Sequence, residues 1–208
     1  MRLVILLILI IIILGVFYWY NYGKMTFIKS PLDNNFYMVR DLSDKYTAVN
    51  LLATMRLNII KLKDHLNSKK NTDYKEYKQY IEQLSNRIHN VTISESRGNE
   101  DVKDENGDNK EIVTSYSVNK GEELVFCLRS RKEKDTFHTI NILMYVILHE
   151  ISHIACPEYG HGPLFKKIFA FFTKTAMELK IYEYDDYAKT PKEYCGIYLS
   201  DSIVWFIK

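Results

Sequence analysis

The chain has 208 residues, and its formal net charge of +2 at pH 7 is too small to argue for nucleic-acid binding through bulk electrostatics. Its length fits one compact domain plus an appendage, and a hydrophobic fraction of 47% excludes a disordered tail. Three cysteines without a CxxC spacing argue against a disulfide framework and against a cysteine-built zinc site.

The first predicted element is an apolar helix. Residues 3–20 carry no charge, and a helix of this length spans about 27 Å, close to the hydrocarbon thickness of a bilayer. Aromatic residues at its end are typical of the membrane interface. A cleaved signal peptide is the alternative, but the small residues of a cleavage site are missing. We expect residues 1–22 to be a transmembrane anchor, residues 23–40 a spacer and residues 41–208 the domain.

Charges around this helix give a weak orientation signal. Arg2 precedes the helix, and three basic residues follow it: Lys24, Lys29 and Arg40. This leans slightly toward a cytoplasmic body, whereas the glycosylation sequence at Asn90 matters only for a lumenal one. The expected localisation is a membrane, through a single-pass N-terminal anchor with the lipid bilayer as a partner.

Two amphipathic helices are predicted next. The first covers residues 42–68, and the second opens at Asp73, which forms a capping-box pattern with Glu76. Apolar side chains recur at spacings of three and four in both, namely Leu52, Met55, Ile59, Leu62 and Leu66, then Tyr74, Tyr77, Ile81, Leu84 and Ile88. Each stripe predicts one helix packed on the core.

The hydrophobic period then changes to two. Residues 97–110 are almost wholly polar and predict a solvated loop. Residues 111–118 and 123–129 alternate as strands do, with a turn between them. Further helices and a short strand are predicted at residues 136–155, 163–180 and 196–199. The expected fold class is α+β, with a small antiparallel sheet packed on helices.

A five-residue motif, HEISH, carries the candidate chemistry. Residues four apart share one helical face, so His149 and His153 can direct their imidazoles at one metal ion. Glu150 can act as general base toward a metal-activated water. The apolar stretch before the motif predicts a buried helix, which gives a metal site rigidity. The rival interpretation is a pair of exposed surface histidines.

A catalytic zinc ion takes three protein ligands and keeps an open position. His161, in a loop between two glycines, is the preferred third ligand. The metzincin pattern fails, because Cys156 and Tyr159 stand where it needs Gly and His. Glu178 is an alternative ligand, since carboxylates also bind zinc. Cys156 is near in sequence, but a small buried residue in the turn is the simpler interpretation.

Residues 149–165, HEISHIACPEYGHGPLF, resemble the signature of the SprT-like and WLM metallopeptidase families. The strand VFCLR before the helix and the YCGI element at residues 194–197 are similar to parts of WLM-like domains, including ones from large DNA viruses. The resemblance covers roughly Val113 to Leu199. It implies a minimal zincin-like metallopeptidase domain of viral origin.

Carried over residue by residue, the resemblance implies Zn²⁺ bound by His149, His153 and His161, with Glu150 as catalytic base. It also implies an extended protein or peptide substrate at the strand over residues 123–129. The expected function is a membrane-anchored zinc metallopeptidase that hydrolyses peptide bonds. The alternatives are a non-catalytic zinc-binding assembly module on a membrane and a DNA-dependent peptidase acting on DNA–protein crosslinks.

Two weaker expectations complete the sequence analysis. Tyr187 and Tyr194 are candidates for stabilising the oxyanion, only because they are phenols after the last long helix. A nucleic-acid partner rests on a short run of basic residues near the motif, namely Arg129, Arg131, Lys132, Lys134, Lys166 and Lys167. A charge run of this size is usually a solvated face.

Overall fold

A computed structural model describes residues 2–22, 25–97, 101–103, 110–112, 114–133 and 136–203. The chain forms an α+β structure, as predicted, with five helices and nine short strands within those ranges. In chain order they are α1 (Arg2–Tyr22), β1 (Met25–Lys29), β2 (Phe36–Arg40), α2 (Lys45–Lys69), α3 (Lys78–Arg87), β3 (Thr92–Glu95), β4 (Asp101–Lys103), β5 (Lys110–Ile112), β6 (Ser115–Val118), β7 (Glu123–Phe126), α4 (Ile140–Ala155), α5 (Pro163–Glu178), β8 (Lys192–Tyr194) and β9 (Ile197–Leu199).

The two predicted apolar stripes lie in the core, which confirms them as packing surfaces. All five stripe residues of α2 are buried, and so are Ile81, Leu84 and Ile88 in and after α3. The predicted capping box is wrong, because α3 begins only at Lys78 and has no side-chain cap. Asp73 instead pairs with Lys69, and Glu76 pairs with a lysine of α5.

The central sheet is mixed rather than antiparallel. Its strand order is β3-β7-β6, with β3 parallel and β6 antiparallel to β7. Leu124, Val125 and Phe126 of β7 are buried, as expected for a central strand. The strand predicted over residues 123–129 ends at Phe126 and has neighbours on both sides. Its edges are therefore occupied, and an extended substrate cannot pair with it as the resemblance implied.

Three other sequence regions differ in detail. The predicted spacer holds the β1–β2 hairpin, whose Tyr37 and Val39 are buried in the core. The predicted strand over 111–118 is divided between β5 and β6, and β5 pairs with β4 inside the predicted polar loop. Residues 98–100 and 104–109 of that loop lie outside the described residues. The strand predicted near Leu199 is present as β9, paired with β8 in a hairpin.

The first helix corrects the membrane prediction. Side chains are described for residues 5–16 of α1, and all are exposed. Among the helices that the structure describes, none is long and apolar enough to cross a membrane. The predicted anchor over residues 1–22, and the membrane localisation derived from it, are therefore not supported.

A disulfide corrects the expectation drawn from the odd cysteine count. Cys127, just after β7, is bonded to Cys195 at the tip of the β8–β9 hairpin, 68 residues away in sequence. Cys156 is free and buried. The bond ties the C-terminal hairpin to the central sheet, and a side chain adds to it, because Ser130 Oγ donates to Glu193 Oε2 at 2.8 Å.

We expect replacement of both Cys127 and Cys195 by Ala to lower the free energy of unfolding by about 4 kcal/mol, because a loop of this length is costly to close without the bond. Urea unfolding followed by far-UV circular dichroism measures the change. Cys156→Ala is the matched control, since it also removes a buried thiol but closes no loop. Equal losses in the two proteins would contradict a stabilising role of the bond.

Candidate metal centre

The HEISH motif occupies the C-terminal turns of α4, and packing fixes how this helix is rotated. Residues 143–148 are buried, as are Ile151 and Ile154. His149 and His153, four residues apart, therefore share the partly exposed face of the helix. The interpretation of two independent surface histidines does not match this arrangement.

Side chains from α3 hold the end of α4. Gln83 Nε2 and Arg87 Nη1 both donate to the carbonyl oxygen of Ile154, at 3.0 and 2.8 Å. The last carbonyl groups of a helix have no partner within it, and a cation there also opposes the negative end of the helix dipole. The residue after His153 is thereby fixed from outside the helix.

A short loop returns the third histidine to this face. Helix α4 ends at Cys156, whose N–H donates to the Ser152 carbonyl at 2.9 Å. Gly160 has φ +77°, a conformation that side chains disfavour, so glycine allows the reversal. Gly162 then caps α5 with Pro163 as its first residue. His161, between the two glycines, lies above the end of α4.

The three histidines form a nearly equilateral triangle, called here the three-histidine cluster. Their Nε2 atoms are 3.0 Å apart for His149 and His153, 3.0 Å for His153 and His161, and 3.1 Å for His149 and His161. Tetrahedral zinc with Zn–N bonds of about 2.0–2.1 Å needs ligand nitrogens about 3.3–3.4 Å apart. Each edge of the triangle is thus within about 0.4 Å of the edge of such a tetrahedron.

The charge state of the cluster also suits a cation. Burial, with a smaller contribution from the neighbouring histidines, lowers the pKa of His149 to about 3 and that of His153 to about 4. His149 and His153 are therefore neutral at pH 7, and each offers a nitrogen lone pair. Three Nε2 atoms in mutual contact cannot all be satisfied by hydrogen bonds to one another, whereas one cation can accept all three lone pairs. The donor set fits a zinc ion.

An aromatic side chain that the sequence analysis did not single out supports all three rings. Phe165, in the first turn of α5 and 2% exposed, stacks on His153 at 4.1 Å between ring centroids. Its ring also meets His149 at 5.0 Å and His161 at 4.9 Å, edge to face. Phe169, one turn later, contacts His149 at 5.4 Å. The only sequence signal was an apolar residue in the first turn after the ligand loop.

Glu150 is partly buried, next to the cluster in sequence. Burial raises its pKa to about 8, which makes its carboxylate a stronger proton acceptor than a solvated one. Its charge adds to the effect of burial in raising the pKa of Tyr194. Among the described residues, the metal-donor group contains the three histidines and not this carboxylate. Glu150 is thus left free for proton transfer.

Two alternative ligands are not brought to the cluster. Glu178 is exposed at the far end of α5, where its charge acts on Lys69. Cys156 is fully buried at the end of α4. Neither belongs to the group of metal donors found in the described part of the chain.

The contacts described for the two oxyanion candidates do not include any of the three imidazoles. Tyr194 is buried, and its hydroxyl is hydrogen-bonded to Ser115 Oγ. The Tyr187 ring is buried against Tyr145, at 4.7 Å between centroids. The aromatic residues described in contact with the three imidazoles are Phe165 and Phe169.

The basic residues near the motif do not form one solvated patch. Arg129 is 3% exposed; its Nε donates to Glu95 Oε1 at 2.8 Å, and its Nη1 pairs with Asp44. Lys132 Nζ donates to the Tyr198 hydroxyl at 2.7 Å. Lys134 lies outside the described residues. The prediction of a basic turn available to nucleic acid is wrong for Arg129, because its charge is neutralised inside the core.

Fold and site define an α+β domain with a three-histidine cluster on a buried helix. The chain is 40% identical over 182 residues to "Uncharacterized protein R325" of Acanthamoeba polyphaga mimivirus, a match covering 88% of this chain and 86% of that protein. It is 34% identical over 82 residues, 39% of this chain and 44% of the relative, to "Uncharacterized protein 136R" of Invertebrate iridescent virus 6. The chain therefore belongs to the family of the mimivirus protein, and both relatives are viral.

No family model and no solved structure matches the chain. The resemblance to SprT-like and WLM peptidases accordingly stays a prediction from the motif.

We expect His161→Ala to weaken zinc binding by at least about 100-fold, because two ligands remain on the helix and the third position opens to solvent. Isothermal titration of the metal-free protein with ZnCl₂ measures the change. His89→Ala is the control, since His89 is exposed and bonded only to its own helix end through Asn86. Unchanged affinity in His161→Ala would remove His161 from the ligand set.

We expect Phe165→Leu to weaken zinc binding about 10-fold to 100-fold, because an aliphatic side chain no longer supports the three imidazoles in one orientation. Phe172→Leu is the matched control: Phe172 is buried in the same helix, and its described ring contact is with Phe171. Both variants lose a buried ring, so a drop in zinc affinity that is equal in the two would show only general destabilisation.

Proposed function

We propose that this protein is a zinc-dependent metallopeptidase. The observation that carries the proposal is the triangle of Nε2 atoms, 3.0 to 3.1 Å apart, with Glu150 at the position after His149 on the same helix. A structural zinc site is closed by four protein ligands, whereas a catalytic site keeps one position open. The described residues offer three donors, and His161 on the exposed side leaves the remaining position facing solvent.

The chain's own residues divide the work of peptide hydrolysis. His149, His153 and His161 would hold the zinc ion, which when bound acidifies water and polarises the scissile carbonyl. Glu150 accepts a proton from the attacking water and returns it to the leaving amine nitrogen. Burial raises the pKa of Glu150 to about 8, close to neutral pH, so the same group can both take up a proton and give it back.

We assign the sheet edge that would pair with the substrate to β6 instead of β7. In the described sheet β6 is an outer strand, with β7 on one side only, and it packs against α4, which carries the motif. An extended peptide can add to such an edge through backbone hydrogen bonds, which carry little sequence preference. This places a bound backbone next to the helix that holds two of the three ligands.

We expect Glu150→Gln to abolish proteolysis, lowering the rate by about 10²-fold to 10⁴-fold, while one zinc ion per chain stays bound, because the amide cannot accept the proton. Fluorescent denatured casein reports the rate, and atomic absorption reports the metal.

Glu178→Gln is the control, because it removes an exposed carboxylate of α5 that was the alternative ligand. It should change neither readout. Undiminished cleavage by Glu150→Gln would end the proposal, and so would a zinc-loaded wild type that cleaves no unfolded protein.

A further inference from the structure

A cleft of about 430 Å³ opens directly beside the three-histidine cluster. His149 and His161 form part of its wall, so the cleft adjoins the three-histidine cluster directly. Ligand sites in proteins are commonly about 300–1,000 Å³ in volume. The cleft is thus large enough to receive one side chain or substituent of a molecule bound at the three-histidine cluster.

The buried part of the cleft lining is mostly apolar and aromatic, although Ser202 also lies there. Tyr145, Phe165 and Phe169 line it, and each of them is less than 10% exposed. The Tyr145 hydroxyl donates to the carbonyl oxygen of Asp201 at 2.9 Å, so this residue offers its ring to the cleft while its polar atom is engaged. Aromatic rings attract another ring in edge-to-face or offset geometry.

Charged lining residues lie on the exposed part of the cleft. Lys166 and Asp201 are both exposed, and they are opposite in sign. A charged side chain that enters the cleft beyond these two residues would lose its hydration against the buried rings. The lining offers it no single charge of opposite sign in return. The lining therefore discriminates against a charged side chain and favours an uncharged, bulky one.

The far wall of the cleft is a single segment, residues 198–203, which follows the β8–β9 hairpin. Leu199 and Ile203 give it apolar surface. Three contacts hold this segment: Lys132 Nζ donates to the Tyr198 hydroxyl at 2.7 Å, the Tyr145 hydroxyl donates to the Asp201 carbonyl, and the Cys127–Cys195 disulfide ties the preceding hairpin to the sheet. A wall held in this way gives a preformed cleft, which lowers the entropic cost of binding.

We infer that the cleft is a specificity pocket for one large apolar side chain of the substrate, aromatic by preference, and that Leu199 and Ile203 select it. An apolar cavity of about 150 Å³ is enough to hold benzene, so the cleft has room for a phenylalanine side chain and the start of its backbone. The inference rests on the proposed peptidase function, because it places this side chain next to the bond that is cut.

The binding test uses the full chain, with and without added zinc, and three probes: N-acetyl-phenylalaninamide, N-acetyl-alaninamide and N-acetyl-lysinamide. Saturation-transfer NMR titrations give their dissociation constants. We expect the phenylalanine probe to bind about 10-fold or more tightly than the other two, because only its side chain buries substantial apolar area. Equal binding of the three probes would overturn the inference.

Leu199→Trp fills the cleft from its wall and should remove this preference. Ile197→Trp is the matched control, since Ile197 belongs to the same strand, is 38% exposed and does not line the cleft. Ser200→Trp, at an exposed lining position, is a second blocking variant should Leu199→Trp unfold. Thermal melts identify any unfolded variant. Retention of the preference in a folded blocking variant, or its equal loss in the control, counts against the pocket.

Cleavage of a peptide mixture separates this inference from the proposed function. Cutting confined to bonds next to Phe, Tyr, Leu or Met, and shifted to small residues by Leu199→Trp, supports both. Cleavage that does not depend on the neighbouring side chain would support the peptidase function and contradict the specificity pocket. Selective binding of the phenylalanine probe with no cutting of any peptide rejects the peptidase and keeps the binding pocket.

Discussion

Three imidazole nitrogens held within 3.1 Å of one another are the constraint around which this domain is arranged. Imidazole rings gain little from such an approach, so the surrounding structure must enforce it. The buried face of α4 sets the rotation of two rings, and the Gly160 turn brings back the third. Phe165 then supports all of them from α5. The helix, the loop and the aromatic ring thus all determine where the three imidazole nitrogens lie.

Much of this site follows from short-range rules. The spacing of His149 and His153 fixes their common face wherever the segment is helical, and a glycine-flanked loop of a few residues limits where His161 can go. The apolar stripes of α2 and α3 were equally local signals, and every stripe residue of α2 is buried. Such features depend on neighbours within about two helical turns, so periodicity reveals them.

The features that escaped sequence reasoning are the long-range ones. The parallel pairing of β3 with β7 joins two short segments whose local pattern says nothing about their partner. Cys127 and Cys195 are 68 residues apart, and a count of three cysteines carries no geometry. The sequence analysis placed Arg129 on a basic surface, because its partners Glu95 and Asp44 come from distant parts of the chain and leave no local signal. The anchor prediction also failed, because no helix in the described part of the chain has the length and hydropathy of a membrane span.

The ring of Phe165 belongs to two surfaces at once, because it supports the three imidazoles on one side and lines the cleft on the other. Any occupant of the cleft therefore presses on the same side chain that orients the metal ligands. Thermodynamic linkage makes the effect reciprocal: whatever factor the occupant applies to metal affinity, the metal applies to the affinity for the occupant. A metal ion at the cluster and an occupant of the cleft would then be coupled through the benzyl group of Phe165.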